Sequence, residues 1–331
     1  MAEFIGQSSS VAFEAADAQK YFVEPLFLGE DVLTKMDVMM DVKGNTYLEH
    51  FAAASKVTKA DNGGAFSAVA GGEYTNPLIS PIRVEVEISM NGGTFFNKVK
   101  GQVLRSGTDK DNVDGTILKK IGAEILMQGI QADFNRQVWL ADTTSSLGIS
   151  GDYNVYQGAF QSLIASGCAK TAATYSTASN SAIDALQAVY AQSTAELKEL
   201  PKTFYVSGKI ADDYIADLTA KGVAPAYDDL QNGIPKLSYL GIPIVVRRDW
   251  DTALLNDFAN ITDNTGAAVY TAAAGARIAL IADGALVVGT DFGSAAVESW
   301  YNRDAKEMRF RFGYLCATQL LDTKLASIYL Q

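Results

Sequence analysis

One histidine, His50, is the chain's whole supply of imidazole. A zinc site built on a His pair and an iron site built on two His and a carboxylate both need more than that. A Ser-His-Asp triad would run through His50 alone, and no GxSxG elbow is present to hold its nucleophile. His50 stands beside Phe51 at the edge of a glycine-rich stretch, where a surface or packing role is expected. Ser207-Gly208-Lys209 has the look of the end of a phosphate loop. The earlier glycine and the following hydroxyl residue of that loop are missing, so a strand-to-helix turn capped by Ser207 is expected. No GxGxxG occurs, which removes the dinucleotide fingerprint.

The acidic groups are no more promising. Asp109-Lys110-Asp111-Asn112-Val113-Asp114-Gly115 is similar to a calcium loop only at first sight. A ligand position falls on Val113, and the place of the bidentate Glu on Lys120. An acidic loop ahead of a helix N-terminus fits it better. Asp212-Asp213 and Asp228-Asp229 could do acid-base work as paired carboxylates, but adjacent helical residues point apart, so solvated faces are expected. Arg247-Arg248, with Trp250 nearby, are too few charges for a nucleic-acid footprint. Cys168 and Cys316 form no CxxC and no disulfide framework; two reduced, buried thiols are expected. The residues therefore name no catalytic, cofactor-binding or metal-binding position, which favours a structural or binding protein over an enzyme.

Composition bounds the rest. The 331 residues are 48% hydrophobic, 10% aromatic and 20% charged, with 27 basic against 38 acidic groups and a net charge of −11. A chain of this length can bury a core without disulfide or metal staples, and the apolar content excludes disorder as the main state. The acidic balance argues against free nucleic-acid binding, which rests on clustered Lys and Arg. Charged content lies below the roughly 25% usual for soluble domains, a pattern that extensive self-association would produce. Met1-Ala2-Glu3-Phe4-Ile5 lacks the basic start of a secretion signal, and no apolar run approaches the ~20 residues of a membrane helix. A soluble protein made in the cytoplasm is expected.

The elements that must position these residues can be read in order. Residues 1–45 read as an arm, with Phe4, Phe13, Tyr21, Phe22, Leu26, Phe27 and Leu28 scattered among small and polar residues; such a segment packs either on its own domain or on a neighbour. Residues 51–81 carry Gly63-Gly64, Gly71-Gly72, Pro77 and Pro81, and are too long for an ordinary connection, so an extended hairpin loop ordered on a neighbour is expected. Ile82, Val84, Val86, Ile88 and Met90 alternate with polar residues as one strand of a hairpin, turned by Asn91-Gly92-Gly93 and returning over 94–103.

A helix from Gly115 to about Asp142, with Asp114 as N-cap, would span roughly 40 Å. Ser181 to Leu200 predicts a second helix with Ile183, Leu186, Tyr190 and Leu197 on one face. Strands follow at 203–206 and 242–246, separated by a helix over Ile210 to Ala220 that buries Ile210, Tyr214, Ile215 and Leu218 and ends at Gly222. Further strands at 278–282 and 285–288 are joined by an Asp283-Gly284 turn, and Met308, Phe310 and Phe312 alternate against Glu307, Arg309 and Arg311. The fold class is α+β with extended arms.

The order of these parts resembles the major capsid protein of tailed bacteriophages, a fold named after phage Hong Kong ninety-seven and shared with bacterial encapsulins. Gly71-Gly72-Glu73-Tyr74 and the hairpin after it are similar to the passage from the family's extended loop into its peripheral domain. Tyr153-Asn154-Val155-Tyr156-Gln157-Gly158 looks like the turn after its spine helix. Phe204-Tyr205-Val206-Ser207, Leu240-Gly241-Ile242-Pro243-Ile244 and the run from Trp300 to Leu330, closing on Ser327-Ile328-Tyr329-Leu330, look like axial core elements and the return strands. The resemblance implies an arm (1–45), an extended loop and hairpin (46–95) and a peripheral domain with the spine helix at about 115–142 (96–200). It further implies an axial domain (201–290) and return strands with a final axial strand (291–331).

As a function, the resemblance implies a structural subunit that forms hexamers and pentamers of an icosahedral shell around double-stranded DNA, in a virion assembled in the cytoplasm of a host bacterium. Its partners would be other copies of itself, a portal, a decoration protein and a separate scaffolding protein, since no charged helical scaffold segment precedes the arm. It would bind neither membrane nor a specific DNA sequence, and an acidic wall would hold DNA without gripping it. Some relatives join a loop Lys to an Asn of the next subunit; Lys56 and Lys59 lie in the matching region, but no acceptor is named. Two other functions stay open: an encapsulin-type compartment shell, and a soluble enzyme using carboxylates such as Asp212 and Asp228.

Overall fold

The computed structural model of the chain describes residues 11–12, 35–53, 58, 72–91, 117–143, 153–171, 175, 181–222, 237–253, 276–291, 296–302, 304–305 and 307–330. Through residue 140 these are strands β1 (Val11–Ala12), β2 (Asp37–Met39), β3 (Thr46–Tyr47), β4 (His50–Ala53), β5 (Gly72–Thr75), β6 (Leu78–Ile79) and β7 (Ile82–Asn91), then helix α1 (Ile117–Leu140). The middle of the chain holds α2 (Ala159–Ser166), β8 (Ala169–Thr171), α3 (Ser181–Gln192), α4 (Ala195–Glu199), β9 (Lys202–Ser207) and α5 (Gly208–Ala220). It closes with β10 (Leu237–Tyr239), β11 (Ile242–Arg247), α6 (Arg248–Thr252), β12 (Arg277–Ala282), β13 (Leu286–Thr290), β14 (Ala296–Asn302), β15 (Glu307–Leu320) and β16 (Ala326–Leu330).

Period-two sequence makes the first sheet. In β15, Phe310, Phe312, Tyr314 and Cys316 turn inward, while Arg311 between them stays exposed. Its 14 residues are long enough to carry three partners. Cys316 pairs with Ile82 on one edge and Thr290 on the other, so β7 runs along one side while β13 and β14 lie end to end on the opposite side. β2 adds to β13 in parallel, and β1 adds to β14. The described pieces of the arm therefore pair with their own chain's sheet. The alternation from residue 82 does form one straight strand, yet the partner found for it, β15, lies more than two hundred residues along the chain. The return strand expected over 94–103 lies outside the described residues.

The second sheet has the order β10-β11-β9-β12-β16-β8. β9 runs parallel to β11, and β16 runs parallel to β8; every other neighbour is antiparallel. β12 is buried along its whole length and β9 from Thr203 on, as a central strand covered on both faces requires. On one side Phe204 meets Tyr239, whose ring also touches Tyr214 of α5. On the other, Tyr205 meets Trp139 at the end of α1, with ring centroids 4.8 Å apart. Trp139 also packs on Phe160 of α2 and Trp250 of α6, at 5.7 and 5.0 Å. One continuous core thus joins the two sheets, with this aromatic cluster inside it.

Helix α1 spans 24 residues, roughly 36 Å, and from Ile130 to Leu140 its apolar residues sink into that core. The chain then turns back beneath it. Gly158 donates its amide to the Ala141 carbonyl at 3.0 Å. A β-carbon at 158 would lie 2.6 Å from the same oxygen, so only glycine allows this approach.

One expectation is corrected. The helix expected from Ser181 to Leu200 breaks after Gln192, because Ser193 bonds its hydroxyl back to the Tyr190 carbonyl and Thr194 caps a new helix by accepting the Leu197 amide. Ala182, Ala185, Leu186 and Val189 are buried along α3, the expected Ile183 and Tyr190 pack partly buried beside them, and Leu197 is buried in α4. The Asp283-Gly284 turn forms, with Gly284 at φ +79, but β12 and β13 belong to different sheets, so this turn carries the chain from one to the other.

Candidate functional site

The residues singled out for chemistry are held by structural partners. Ser207 occupies the N-cap position of α5, but its hydroxyl accepts the Arg277 amide at 3.4 Å instead of capping the helix. That task falls to Asp251, whose carboxylate accepts the Lys209 amide at 3.3 Å. The slot a phosphate would need is filled by the protein's own anion. Burial pushes the Asp251 carboxyl above the usual carboxylate range, against the pull of the Lys209 and Gly208 amides. Asp212 receives two hydrogen bonds from Arg248, at 2.9 and 3.3 Å. Asp213 accepts the Tyr175 hydroxyl at 2.5 Å. The two neighbours thus serve different partners. Arg247 pairs with Asp249 at 3.3 Å, and Trp250 is fully buried.

Cys168 and Cys316 are both free and buried, and burial pushes each thiol up to about 12, far from reactive. Among the described residues, no three His, Cys, Asp or Glu side chains gather where a metal could bind, and no helix is long and apolar enough to cross a membrane. Asp228-Asp229, the Asp109–Gly115 loop, Lys56 and Lys59 lie outside the described residues. Sequence reasoning missed two structural acids. Asp251 caps α5, and buried Asp217 accepts the Ala182 amide at the start of α3. A turn of helix with no cap of its own was the available signal.

What remains conspicuous is a ribbon. β3 pairs with β6, and β4 with β5, in one continuous antiparallel register from Thr46↔Ile79 to Ala53↔Gly72, bridged by Leu48 donating to the Pro77 carbonyl at 2.8 Å. Its two faces differ sharply. The inner face holds Leu48 and Ile79, which with Val42, Val287 and Ala317 form a small core of their own. Gly289 is needed there, because a β-carbon would come within 2.7 Å of the Ile79 side chain. The root of the ribbon is fastened further by Thr75, whose hydroxyl donates to the Leu321 carbonyl at 3.2 Å, and by an ion pair between Glu73 and Lys324.

The outer face carries four exposed large apolar side chains. Tyr47 lies directly opposite Leu78, and Phe51 opposite Tyr74, with the latter two rings 4.7 Å apart. Their exposures are 63%, 38%, 75% and 49%. Exposed Glu49 and Asn76 lie between the two pairs on the same face, so the four large apolar side chains form two patches on either side of a polar pair. Sequence reasoning read this region as an extended hairpin loop ordered on a neighbour; a hairpin forms, and its inner face packs on its own chain. Its period-two signal is hidden because Tyr47, Leu48 and Phe51 put apolar groups on both faces.

No protein-family model matches the chain, and no curated protein matches it. Solved structures do. Similarity to the structure of the satellite phage P4 procapsid including size determination (Sid) protein covers 93% of this chain and 97% of that one, at TM-score 0.55 and 9% identity. The capsid of a native GTA particle is matched over 100% of this chain and 95% of that one, at TM-score 0.54 and 12% identity. The holo-SrpI encapsulin complex from Synechococcus elongatus PCC 7942 is matched over 90% and 86%, at TM-score 0.50 and 10% identity. The chain therefore has the mixed helix-and-sheet fold of phage capsid and encapsulin shell proteins, as the order of its parts implied.

Proposed function

We propose that this protein is the major capsid subunit of a tailed bacteriophage, a structural and non-enzymatic protein that assembles with copies of itself. The observation that carries the reading is the outer face of the ribbon. Its inner face is already packed on its own subunit, and the side chains of Tyr47, Phe51, Tyr74 and Leu78 on the outer face stay exposed. Covering each aromatic ring would contribute about 1.5–3 kcal/mol, and a second copy supplies the cover. The ribbon of one subunit meets a different surface of the next, so the contact is heterologous and closes into rings.

In this reading the rings are hexamers and pentamers tiling an icosahedral shell around double-stranded DNA, built in the bacterial cytoplasm. A scaffolding protein, a portal and a decoration protein would be its partners. The sheet centred on β15, together with α1, serves as the peripheral domain, and the sheet centred on β9 as the axial domain. The carboxylate-enzyme alternative is disfavoured because Asp212, one of the two carboxylates it would use, is committed to Arg248. The fold is also that of the encapsulin at TM-score 0.50, so the test must separate the two shells.

Electron microscopy of the chain, produced alone and together with its genomic neighbours, does so. We expect closed shells that need a co-produced scaffold. Small shells closing alone around an enzyme cargo would move the assignment to an encapsulin, and a lone globular monomer under all conditions would overturn it.

A further inference from the structure

The hairpin of β10 and β11 turns on two residues, Leu240 and Gly241, both with positive φ, at +51 and +78. Two-residue turns of that kind favour Asn-Gly, because asparagine adopts the left-handed region at less cost than leucine. Leucine stands there instead, and its side chain is 66% exposed. Among the described large apolar side chains, only that of Phe51 is more exposed. A side chain so exposed gains little from packing on its own chain, so the free subunit draws nothing from the strain it carries.

The turn is also held in place from behind. Leu237, Ile242 and Ile244 are buried, and the Tyr239 ring meets Phe204 and Tyr214 with centroids 6.0 and 6.3 Å away. The Tyr214 hydroxyl donates to the Ser238 carbonyl at 2.9 Å. Around the tip, Ser238, Gly241 and Pro243 are exposed and uncharged. The result is one apolar knob on a fixed stem with a neutral collar, which loses little freedom on meeting a partner.

We propose that Leu240 is a contact residue between subunits, entering an apolar socket on a second copy of this chain. This contact presupposes the shell reading. Backbone strain kept at an exposed position is accounted for by a contact made only in the assembly. A closed shell joins subunits within rings and rings to one another, so each copy needs an adhesive surface besides the ribbon. The tip supplies one. It lies at the β10 end of the second sheet, whereas the ribbon root is fastened to Leu321 and Lys324 beside β16, with three strands between. That is roughly 19 Å at the usual strand spacing, so the two contacts are separate. A neutral tip also suits the meeting of two copies that each carry a net charge of −11.

Leu240→Asn tests this, since it removes the knob and relieves the turn at once. Subunits freed from particles should unfold at a higher urea midpoint than the wild type. Particles formed with the genomic neighbours, followed by sedimentation velocity, should need roughly tenfold more protein to form. Leu240→Met keeps the apolar reach and should assemble like the wild type. A photo-crosslinking side chain placed at position 240 should join two copies of the chain. Undiminished assembly of Leu240→Asn beside an assembling wild type overturns the contact and leaves the shell reading standing. A cross-link to a different protein overturns the choice of partner, and a wild type that stays a lone monomer overturns both readings.

Discussion

Leu240 occupies a position that suits no β-carbon. It sits in the turn between β10 and β11 at φ +51, ahead of Gly241 at φ +78, and its side chain is 66% exposed. A left-handed conformation costs an ordinary residue about 1–2 kcal/mol, and less for Asn. Leu240→Asn should therefore raise the stability of the isolated subunit by about 0.5–1 kcal/mol, seen as a higher urea midpoint with an unchanged slope. The strain at Leu240 was not legible in sequence, because nothing about a leucine announces a positive φ. The structural acids were similarly hidden. Asp217 and Asp251 look like solvated charges in sequence, and only the approach of a second helix turns each into a cap.

At the scale of elements, what depends on near neighbours in sequence was readable and what depends on distant ones was not. The alternation from Ile82 and the apolar runs at 203–206 and 242–246 each became a strand close to where they were expected, because a period of two needs no partner to be visible. Pairing is different. Nothing local in β7 points to β15, and nothing in the Asp283-Gly284 turn says that it leaves one sheet for another. The ribbon was expected as a hairpin, but its inner and outer faces escaped for a third reason, since apolar residues on both erase the contrast on which pattern reading relies.

Helix α1 shows how the elements are tied together. Its last turn enters the core through Trp139, packed between Phe160, Tyr205 and Trp250. Trp139→Ala should cost about 3–5 kcal/mol, and the lost ring contacts should weaken the near-ultraviolet circular dichroism of the folded protein. A much smaller cost would mean that the two sheets are joined by something other than this cluster.

For the whole molecule, the low charge content, the acidic balance and the apolar patches describe one surface economy. The proposed function accounts for both the charge content and the patches: a surface that meets other copies would carry few charges, and the exposed Phe51 and Tyr74 would be covered by the next copy. The shell-type fold was legible in the order of the parts, although no single motif carries it. The patches that give that fold its proposed use required the coordinates.

Sedimentation velocity over a concentration series, comparing the wild type with Phe51→Ser/Tyr74→Ser, each produced together with its genomic neighbours, reads this most directly. Both side chains point away from their own subunit, so the variant should melt like the wild type while its large assemblies disappear in favour of single subunits or lone rings. Assemblies of undiminished size and midpoint in the double variant would contradict the claim that the outer face of the ribbon joins one subunit to the next.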